Sequence, residues 1–207
     1  MPTGPDPARL RRLWDRQSET FDRQMGRFER RLLGEHRPLV CGAAEGRVLE
    51  VAVGTGLNLP YYTAGVSLTG LDFSPAMLAQ ARARADALAS PVALCQGDAL
   101  ALPFAGGSFD TVVCTFALCS IPDTARALSE MARVLRPGGS LLLLDHVSST
   151  FWPLRAVQWL VDRVSVPLAG EHFHHRPLPQ LADAGFEIVD SERSRLGAVE
   201  RIRARRR

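Results

Sequence analysis

The sequence predicts an α/β protein in which helices cover both faces of a mostly parallel β-sheet. Two observations predict this class. Apolar, strand-like runs alternate with helical segments between residues 47 and 146, and a glycine turn follows the first of these runs directly. Such an alternation, joined by right-handed crossovers, leaves few topologies other than a parallel sheet. With 207 residues, 46% of them hydrophobic, the chain can bury one sizeable core.

The N-terminal part, residues 1–45, is expected to form a helical cap on a core domain of residues 46–207. The stretch from Pro7 to Arg31 is polar and rich in arginine. Its apolar residues recur at helical spacing and predict one or two amphipathic helices over the core domain. Acidic residues alternate with the arginines, so we interpret the polar side as a solvated face, with a helix on a membrane surface as the alternative.

The core domain begins with a buried strand predicted over Arg47 to Val53, and a second follows over Val66 to Leu71. Ser74 can cap the helix predicted over Ala76 to Ala89, with Pro75 in its first position. The remaining elements up to residue 146 are strands over Pro91 to Cys95, Phe109 to Thr115 and Ser140 to His146, and a helix over Asp123 to Leu135 that Pro137-Gly138-Gly139 end.

The regularity weakens after Phe151. A short helix is predicted over Pro177 to Ala184, and strands are predicted over Phe186 to Ser191 and Val199 to Ala204. Arginines alternate with other residues in the last of these. That pattern favours an exposed edge strand, whose charges discourage further pairing.

Composition excludes several classes of function. All 25 basic residues are arginines, so neither a phosphate loop ending in Gly-Lys nor a lysine Schiff base is possible. A net charge of +3 is too small to indicate a nucleic-acid partner. The four cysteines form no Cys-x-x-Cys pair, so we expect reduced thiols and no metal site. Without a signal pattern or an apolar run of about 20 residues, we expect a cytoplasmic protein without stable membrane insertion.

A nucleotide site is predicted where the strands end. The first strand runs from Glu50 into Gly54-Thr55-Gly56, and these glycines let a ligand approach the backbone closely. Asp72 ends the second strand and can accept hydrogen bonds from a ribose, while Asp98 follows the third and can accept one from an adenine amino group. A dinucleotide fingerprint needs a third glycine where Leu59 stands, so a tightly held pyrophosphate is disfavoured.

These stretches resemble the class I S-adenosylmethionine-dependent methyltransferases, in particular the group of ubiquinone-type and phosphatidylethanolamine-type enzymes. The resemblance covers residues 47–146 and lies in Val48-Leu-Glu-Val-Ala-Val-Gly-Thr-Gly56, Gly70-Leu-Asp-Phe-Ser-Pro-Ala-Met-Leu78, Gly97-Asp-Ala-Leu-Ala-Leu-Pro-Phe104, part of Ser108-Phe-Asp-Thr-Val-Val113 and Val134-Leu-Arg-Pro-Gly-Gly139. It implies a Rossmann-like, seven-stranded sheet with an antiparallel last strand, and S-adenosylmethionine as cofactor.

The resemblance also implies roles for single residues. Methionine-side, ribose-side and adenine-side contacts to the cofactor fall on Glu50, Gly54, Thr55, Gly56, Asp72, Phe73, Asp98, Ala99, Thr115 and Phe116. Ala52 stands where the family has glycine, and alanine is small enough to imply a slight shift of the loop. Phe21 lacks the hydroxyl of the tyrosine found in relatives.

The methyl acceptor is less well defined. Phe116-Ala-Leu-Cys-Ser-Ile-Pro122 is similar to a subgroup of phospholipid N-methyltransferases and small alkyl-thiol methyltransferases. We therefore expect transfer to a thiol or amine of a small molecule, possibly in secondary metabolism, with phospholipid headgroup methylation as the alternative and a non-enzymatic binding module as a third hypothesis. Trp152, Trp159 and Leu160 are expected near the acceptor mouth. The candidate bases are His146, His172 and His175.

Overall fold

The structure is a computed structural model that describes residues 6–32, 36–169 and 176–207, without the side chains of residues 27–32 and 164–169. Its described residues form one seven-stranded sheet of order β3-β2-β1-β4-β5-β7-β6. The strands are β1 Arg47–Val51, β2 Ser67–Asp72, β3 Val92–Gln96, β4 Phe109–Thr115, β5 Leu135–His146, β6 Phe186–Ser194 and β7 Val199–Arg206. Only β7 runs antiparallel to its neighbours, which confirms the predicted fold class.

The helices of the described residues are α1 Pro7–Leu32, α2 His36–Cys41, α3 Pro75–Ala87, α4 Thr124–Val134, α5 Trp152–Ala169 and α6 Leu178–Asp183. The predicted start of α3 is confirmed: Pro75 is its first residue, and the Ser74 hydroxyl accepts a hydrogen bond of 3.1 Å from the amide of Met77. This cap satisfies one of the amide groups that a helix leaves unpaired at its start. It also fixes α3 directly after Asp72.

The core lies on both faces of the central strands. Val48 and Leu49 of β1 are fully buried, as are Val112 and Val113 of β4. Neighbouring residues of a strand point to opposite faces, so burial of both members of each pair requires helices on both sides of the sheet. This arrangement gives the strand ends a rigid support.

The edge-strand prediction for Val199 to Ala204 is wrong. β7 is an interior strand, paired with β5 on one side and β6 on the other, and β6 forms the edge. Ile202 and Ala204 are buried, whereas Arg203 and Arg205 are exposed on the opposite face. The alternation of arginines thus reports a sheet face that is open to solvent, a pattern that an interior strand can also have.

The predicted end of α4 also needs correction. The helix ends at Val134, and β5 already begins at Leu135 and runs through Pro137-Gly138-Gly139. The strand accommodates these residues through a register shift against β4. Gly139 is required there, because a Cβ atom would lie 2.9 Å from the carbonyl oxygen of Arg136 and 3.0 Å from that of Asp110.

Helix α5 was not predicted, because its polar and apolar residues follow no clear helical pattern. It contains Pro153 in its first turn, where a missing amide hydrogen is tolerated, and Pro167 near its end. Of the helices that the structure describes, none is both long and apolar enough to cross a bilayer.

Candidate active site

A cavity of about 340 Å³ lies at the carboxyl ends of the parallel strands. Its position is that of the ligand sites of open α/β sheets. Nine of the ten residues predicted to contact a cofactor line it: Glu50, Gly54, Thr55, Asp72, Phe73, Asp98, Ala99, Thr115 and Phe116. The sequence had thus indicated most of one continuous wall.

Gly56 is the tenth residue, and it lies outside this lining. Its φ of +79° is in the region that favours glycine. A Cβ atom at this position would lie 2.8 Å from Cδ1 of Leu59 and 3.3 Å from Cα of Ala81. In this structure Gly56 therefore allows α3 to pack closely against the turn.

Ala52 lines the cavity with a φ of +58°. For a residue with a Cβ atom this conformation costs on the order of 1 kcal/mol, which explains why glycine suits the position. Phe116, which follows the neighbouring strand β4 and also lines the cavity, has a positive φ of 51° as well. Two strained non-glycine residues facing one cavity are typical of a functional site.

Asp72, the last residue of β2, ties the loop after β1 to the start of α3. Its Oδ2 accepts a hydrogen bond of 2.8 Å from the amide of Gly54, and its Oδ1 accepts one of 2.8 Å from the amide of Ser74. Burial raises the pKa of Asp72, while these amide hydrogen bonds act in the opposite direction. Each oxygen keeps a further lone pair, so the carboxylate can accept two hydrogen bonds from a diol in the cavity.

A buried polar network lies at the ends of β1 and β4, and sequence reasoning missed most of it. Asn58 donates to Glu50 Oε1 at 2.8 Å, and the hydroxyl of Tyr62 donates to Glu50 Oε2 at 2.8 Å. Nη1 of Arg37 donates to Oδ1 of Asn58 at 2.7 Å and to Oγ1 of Thr115 at 3.0 Å. Arg37 is buried and lines the cavity, so it brings a positive charge to this end of it.

Glu50 is the carboxylic acid at the centre of this network. Burial raises its pKa to about 7, against the opposing effects of its hydrogen bonds to Tyr62 and Asn58 and of the nearby Arg37 charge. The side chain is almost completely inaccessible to solvent. Glu50 is therefore poised to lose its proton near neutral pH when a positive charge enters the cavity.

Helix α1 covers the cavity on the side away from the sheet. Its apolar residues Leu10, Trp14, Phe21 and Met25 contribute to the lining, and these are residues that the helical periodicity had placed on one face. The residues of α1 thus form part of the cavity lining in this structure, while the division into a cap of residues 1–45 and a core domain stays a prediction.

Two aspartates of α1 bind residues that follow the carboxyl ends of β1 and β2. Oδ1 of Asp15 accepts a hydrogen bond of 2.5 Å from the hydroxyl of Ser74. Oδ1 of Asp22 accepts one of 2.5 Å from the hydroxyl of Thr55, and Asp22 also forms an ion pair with Arg84. Asp22 thus binds Thr55 of the predicted nucleotide site, and Asp15 binds the N-cap residue of α3.

A further part of the cavity lining comes from the loop after β4 and from the end of β5. His146 lines the cavity, and its ring stacks against Phe116 with the centroids 4.8 Å apart. The guanidinium of Arg37 lies 5.0 Å from the centroid of the same Phe116 ring. The Phe116 ring is therefore close to both a cation and a histidine.

Asp145 organises this part of the lining. Its oxygens accept hydrogen bonds from the amides of Cys119 at 3.1 Å and His146 at 2.7 Å. One ligand atom each from Cys119, Asp145 and His146 lies within 4.8 Å of the other two, so these residues are also the described group that could hold a metal ion. The expectation of no metal site stays a prediction.

The other acceptor-side predictions have different outcomes. His172 and His175 lie outside the described residues. Trp152, Trp159 and Leu160 were expected near the acceptor mouth, but they are exposed on α5 and do not line the cavity. The apolar lining comes instead from α1 and from Ile121 and Pro122.

Comparisons with known proteins decide the family. Residues 49–143 match the model of a methyltransferase domain. The chain is 43% identical to a phosphatidylethanolamine N-methyltransferase of Cereibacter sphaeroides over 150 residues, which are 72% of this chain and 73% of that one. The chain belongs to the class I S-adenosylmethionine-dependent methyltransferases.

Other relatives have different names. A demethylmenaquinone methyltransferase of Thermus thermophilus is 44% identical over 110 residues, which span 52% of this chain and 50% of the relative. The chain thus spans about half the length of this relative. Among solved structures, an S-adenosylmethionine-dependent methyltransferase of Thermotoga maritima superimposes with a TM-score of 0.73, at 23% identity and covering 96% of this chain and 100% of that one. This likeness supports the fold.

The cavity fits S-adenosylmethionine by the chemistry of its walls. The cofactor offers a ribose diol, an adenine and a methionine end that carries both an ammonium and a carboxylate. The described residues present a carboxylate with free lone pairs in Asp72, an acid in Glu50 and a buried cation in Arg37. The acid of Glu50 and the cation of Arg37 could match the two charges of this zwitterion.

Cofactor affinity should depend on pH through Glu50. Burial raises its pKa to about 7, so in the free enzyme Glu50 is protonated below neutral pH. The positive charges of the cofactor favour the ionised form, and affinity should therefore rise as pH rises, by up to about tenfold per unit below pH 7. Calorimetry between pH 5.5 and 8.5 would measure both the affinity and the accompanying proton release.

Glu50→Gln should remove this pH dependence, whereas Glu187→Gln, on exposed β6, should keep it. An affinity of the unmodified enzyme that stays constant over the whole range would contradict the assignment of Glu50.

Proposed function

We propose that this methyltransferase acts on the primary amine of an amphipathic, phospholipid-type acceptor. One observation carries the proposal: the 43% identity to a phosphatidylethanolamine N-methyltransferase extends over 73% of that relative. The cavity supports it. Apolar side chains from α1 and from the loop after β4 meet above the cofactor-binding wall, where an acceptor with an apolar body can be desolvated.

The residues would divide the work as follows. Asp72 holds the ribose, Asp98 the adenine, and Glu50 with Arg37 the methionine end. Bound in this way, S-adenosylmethionine supplies an electrophilic methyl group on a sulfonium. The cavity aligns the acceptor with that methyl group, and orientation of this kind contributes roughly 7–11 kcal/mol to lowering a barrier.

An amine acceptor needs a base, because alkyl amines are protonated at neutral pH. His146 lies at the cavity wall and is proposed to take this proton. The nitrogen lone pair then forms the new N–C bond as the C–S bond breaks, and S-adenosylhomocysteine leaves as a neutral thioether. The stacking of His146 on Phe116 keeps the imidazole at the wall.

A thiol acceptor is the second candidate. A solved protein of echinomycin biosynthesis, described by the conversion of a disulfide bond into a thioacetal group, is similar to this chain. The two are 27% identical and superimpose with a TM-score of 0.60, over 80% of this chain and 77% of that one. A thiol has an ordinary pKa of about 8.5 and is partly ionised at neutral pH, so it needs less help from a base.

The acceptor class can be tested with isotopically labelled S-adenosylmethionine. Phosphatidylethanolamine vesicles, a panel of alkyl thiols and a demethylated quinone would be incubated separately with the enzyme. We expect label in the lipid amine, and no transfer by the Asp72→Ala variant. Transfer to thiols or to the quinone, with none to the amine, would overturn the proposal.

A further inference from the structure

The outer side of α5 carries large exposed apolar side chains that the proposed function does not use. Trp152 is 71% exposed, Trp159 51% and Leu160 61%. Phe151, directly before the helix, and Val157 and Val161 are also exposed, although at helical spacing the two valines lie on another side of α5. Single exposed apolar residues are common, but two tryptophans in one such patch are not, and a patch of this kind marks an interaction surface.

The helix is held close to the active site by its inner side. Gln158 donates to the carbonyl of Val147 at 2.9 Å and accepts from the amide of Ser149 at 2.8 Å. Val147 directly follows His146, which lines the cavity. The exposed patch is therefore anchored next to the carboxyl end of β5, where the cavity also lies.

Positive charges beside the tryptophans indicate which kind of partner surface can cover this patch. Arg155 and Arg163 are exposed and stand at helical spacing from Trp152 and Trp159, so all four share one side of α5. The guanidinium of Arg163 lies 3.8 Å from the centroid of a Trp159 ring. Tryptophans beside arginines suit the boundary of an anionic bilayer, where rings enter the headgroup layer and guanidinium groups reach phosphates.

We infer that α5 lies flat on an anionic phospholipid surface and presents the active-site edge of the sheet to the membrane. This inference deepens the proposed function and rests on it, because a lipid headgroup must reach the cavity from a bilayer. The apolar residues enter the headgroup region, and the two arginines add an attraction that salt weakens.

Vesicle flotation would test the inference with the full chain. Vesicles of phosphatidylcholine with about 30% phosphatidylglycerol should retain the enzyme. Trp152→Ser together with Trp159→Ser should lower the partition coefficient at least about tenfold. Arg155→Gln with Arg163→Gln should weaken binding to these vesicles and reduce its salt dependence. Leu88→Ser with Val189→Ser, which removes two exposed apolar residues elsewhere, should bind as the unmodified enzyme does.

Tryptophan fluorescence gives a second measurement. Brominated lipids should quench the emission of the unmodified enzyme, and this quenching should be lost in the double tryptophan variant, whose remaining Trp14 lies in the cavity wall. Equal flotation of both proteins would overturn the inference. So would a stable dimer in light scattering that the tryptophan variant dissociates, because that result would assign the patch to a second copy of the chain.

The two proposals can fail separately. A short-chain aminophospholipid below its critical micelle concentration tests methyl transfer without a bilayer. The unmodified enzyme and the tryptophan variant should methylate it at similar rates. Transfer to this acceptor with unaltered vesicle binding by the variant would refute only the role of α5. Vesicle binding that depends on the tryptophans, without transfer to any amine, would refute only the acceptor assignment.

Discussion

Asp72→Ala should weaken the binding of S-adenosylmethionine at least 100-fold. In the proposed site the carboxylate accepts two hydrogen bonds from the ribose, and hydrogen bonds to a charged group contribute about 1.5–3 kcal/mol each. The loss of both, at about 1.4 kcal/mol per factor of ten, gives this magnitude. The variant also loses the support that Asp72 gives to the amides of Gly54 and Ser74. Isothermal titration calorimetry would measure the affinity.

Two controls separate binding from folding. Asp190→Ala removes a carboxylate from exposed β6 and should leave the affinity unchanged. Circular dichroism should show that Asp72→Ala still unfolds cooperatively, since the buried core on both faces of β1 and β4 does not include this side chain. An affinity of the folded variant within a factor of about three of the unmodified enzyme would exclude Asp72 as the ribose ligand.

His146→Gln should lower kcat for an amine acceptor by about 10² to 10⁴, the range typical of a removed general base. The KM for S-adenosylmethionine should change less than kcat, because His146 is not among the side chains proposed to hold the cofactor. The deficit should shrink as pH rises toward 10, where the amine deprotonates without assistance. Rates measured between pH 7 and pH 10 would give both results.

His36→Gln provides the matched histidine control, since His36 lies on α2 and hydrogen-bonds to Ser194 at 3.0 Å. Its rate profile should follow that of the unmodified enzyme. A pH-independent loss in His146→Gln would indicate a structural role through Phe116. Loss of activity of the unmodified enzyme on chelation would instead assign His146, with Cys119 and Asp145, to a metal ion.

Much of the site could be predicted, because each of its motifs consists of consecutive residues at the end of one strand. Asp72 and Thr115 each end a parallel strand, and Glu50 is the last but one residue of another. The carboxyl ends of parallel strands lie together on one side of the sheet. The N-cap at Ser74 was predictable for a similar reason, as capping depends on a few consecutive residues.

The missed residues depend on contacts between distant segments. Arg37 reaches Asn58 and Thr115, at sequence separations of 21 and 78 residues. No local pattern indicates that an arginine of α2 will be buried there. His146 and Phe116 were both named as site residues, but their contact could not be predicted, because it arises only from the pairing of β4 and β5 in the sheet.

The sequence by itself determined the α/β class, the carboxyl-end nucleotide site and the family, because apolar periodicity and short motifs are properties of consecutive residues. Only the tertiary structure decided that β7 is an interior strand, that α1 forms the roof of the cavity and that the tryptophans of α5 face outward. Those features depend on which elements become neighbours. Alternating burial along a strand reports the exposure of a sheet face and carries no information about the strand's position in the sheet.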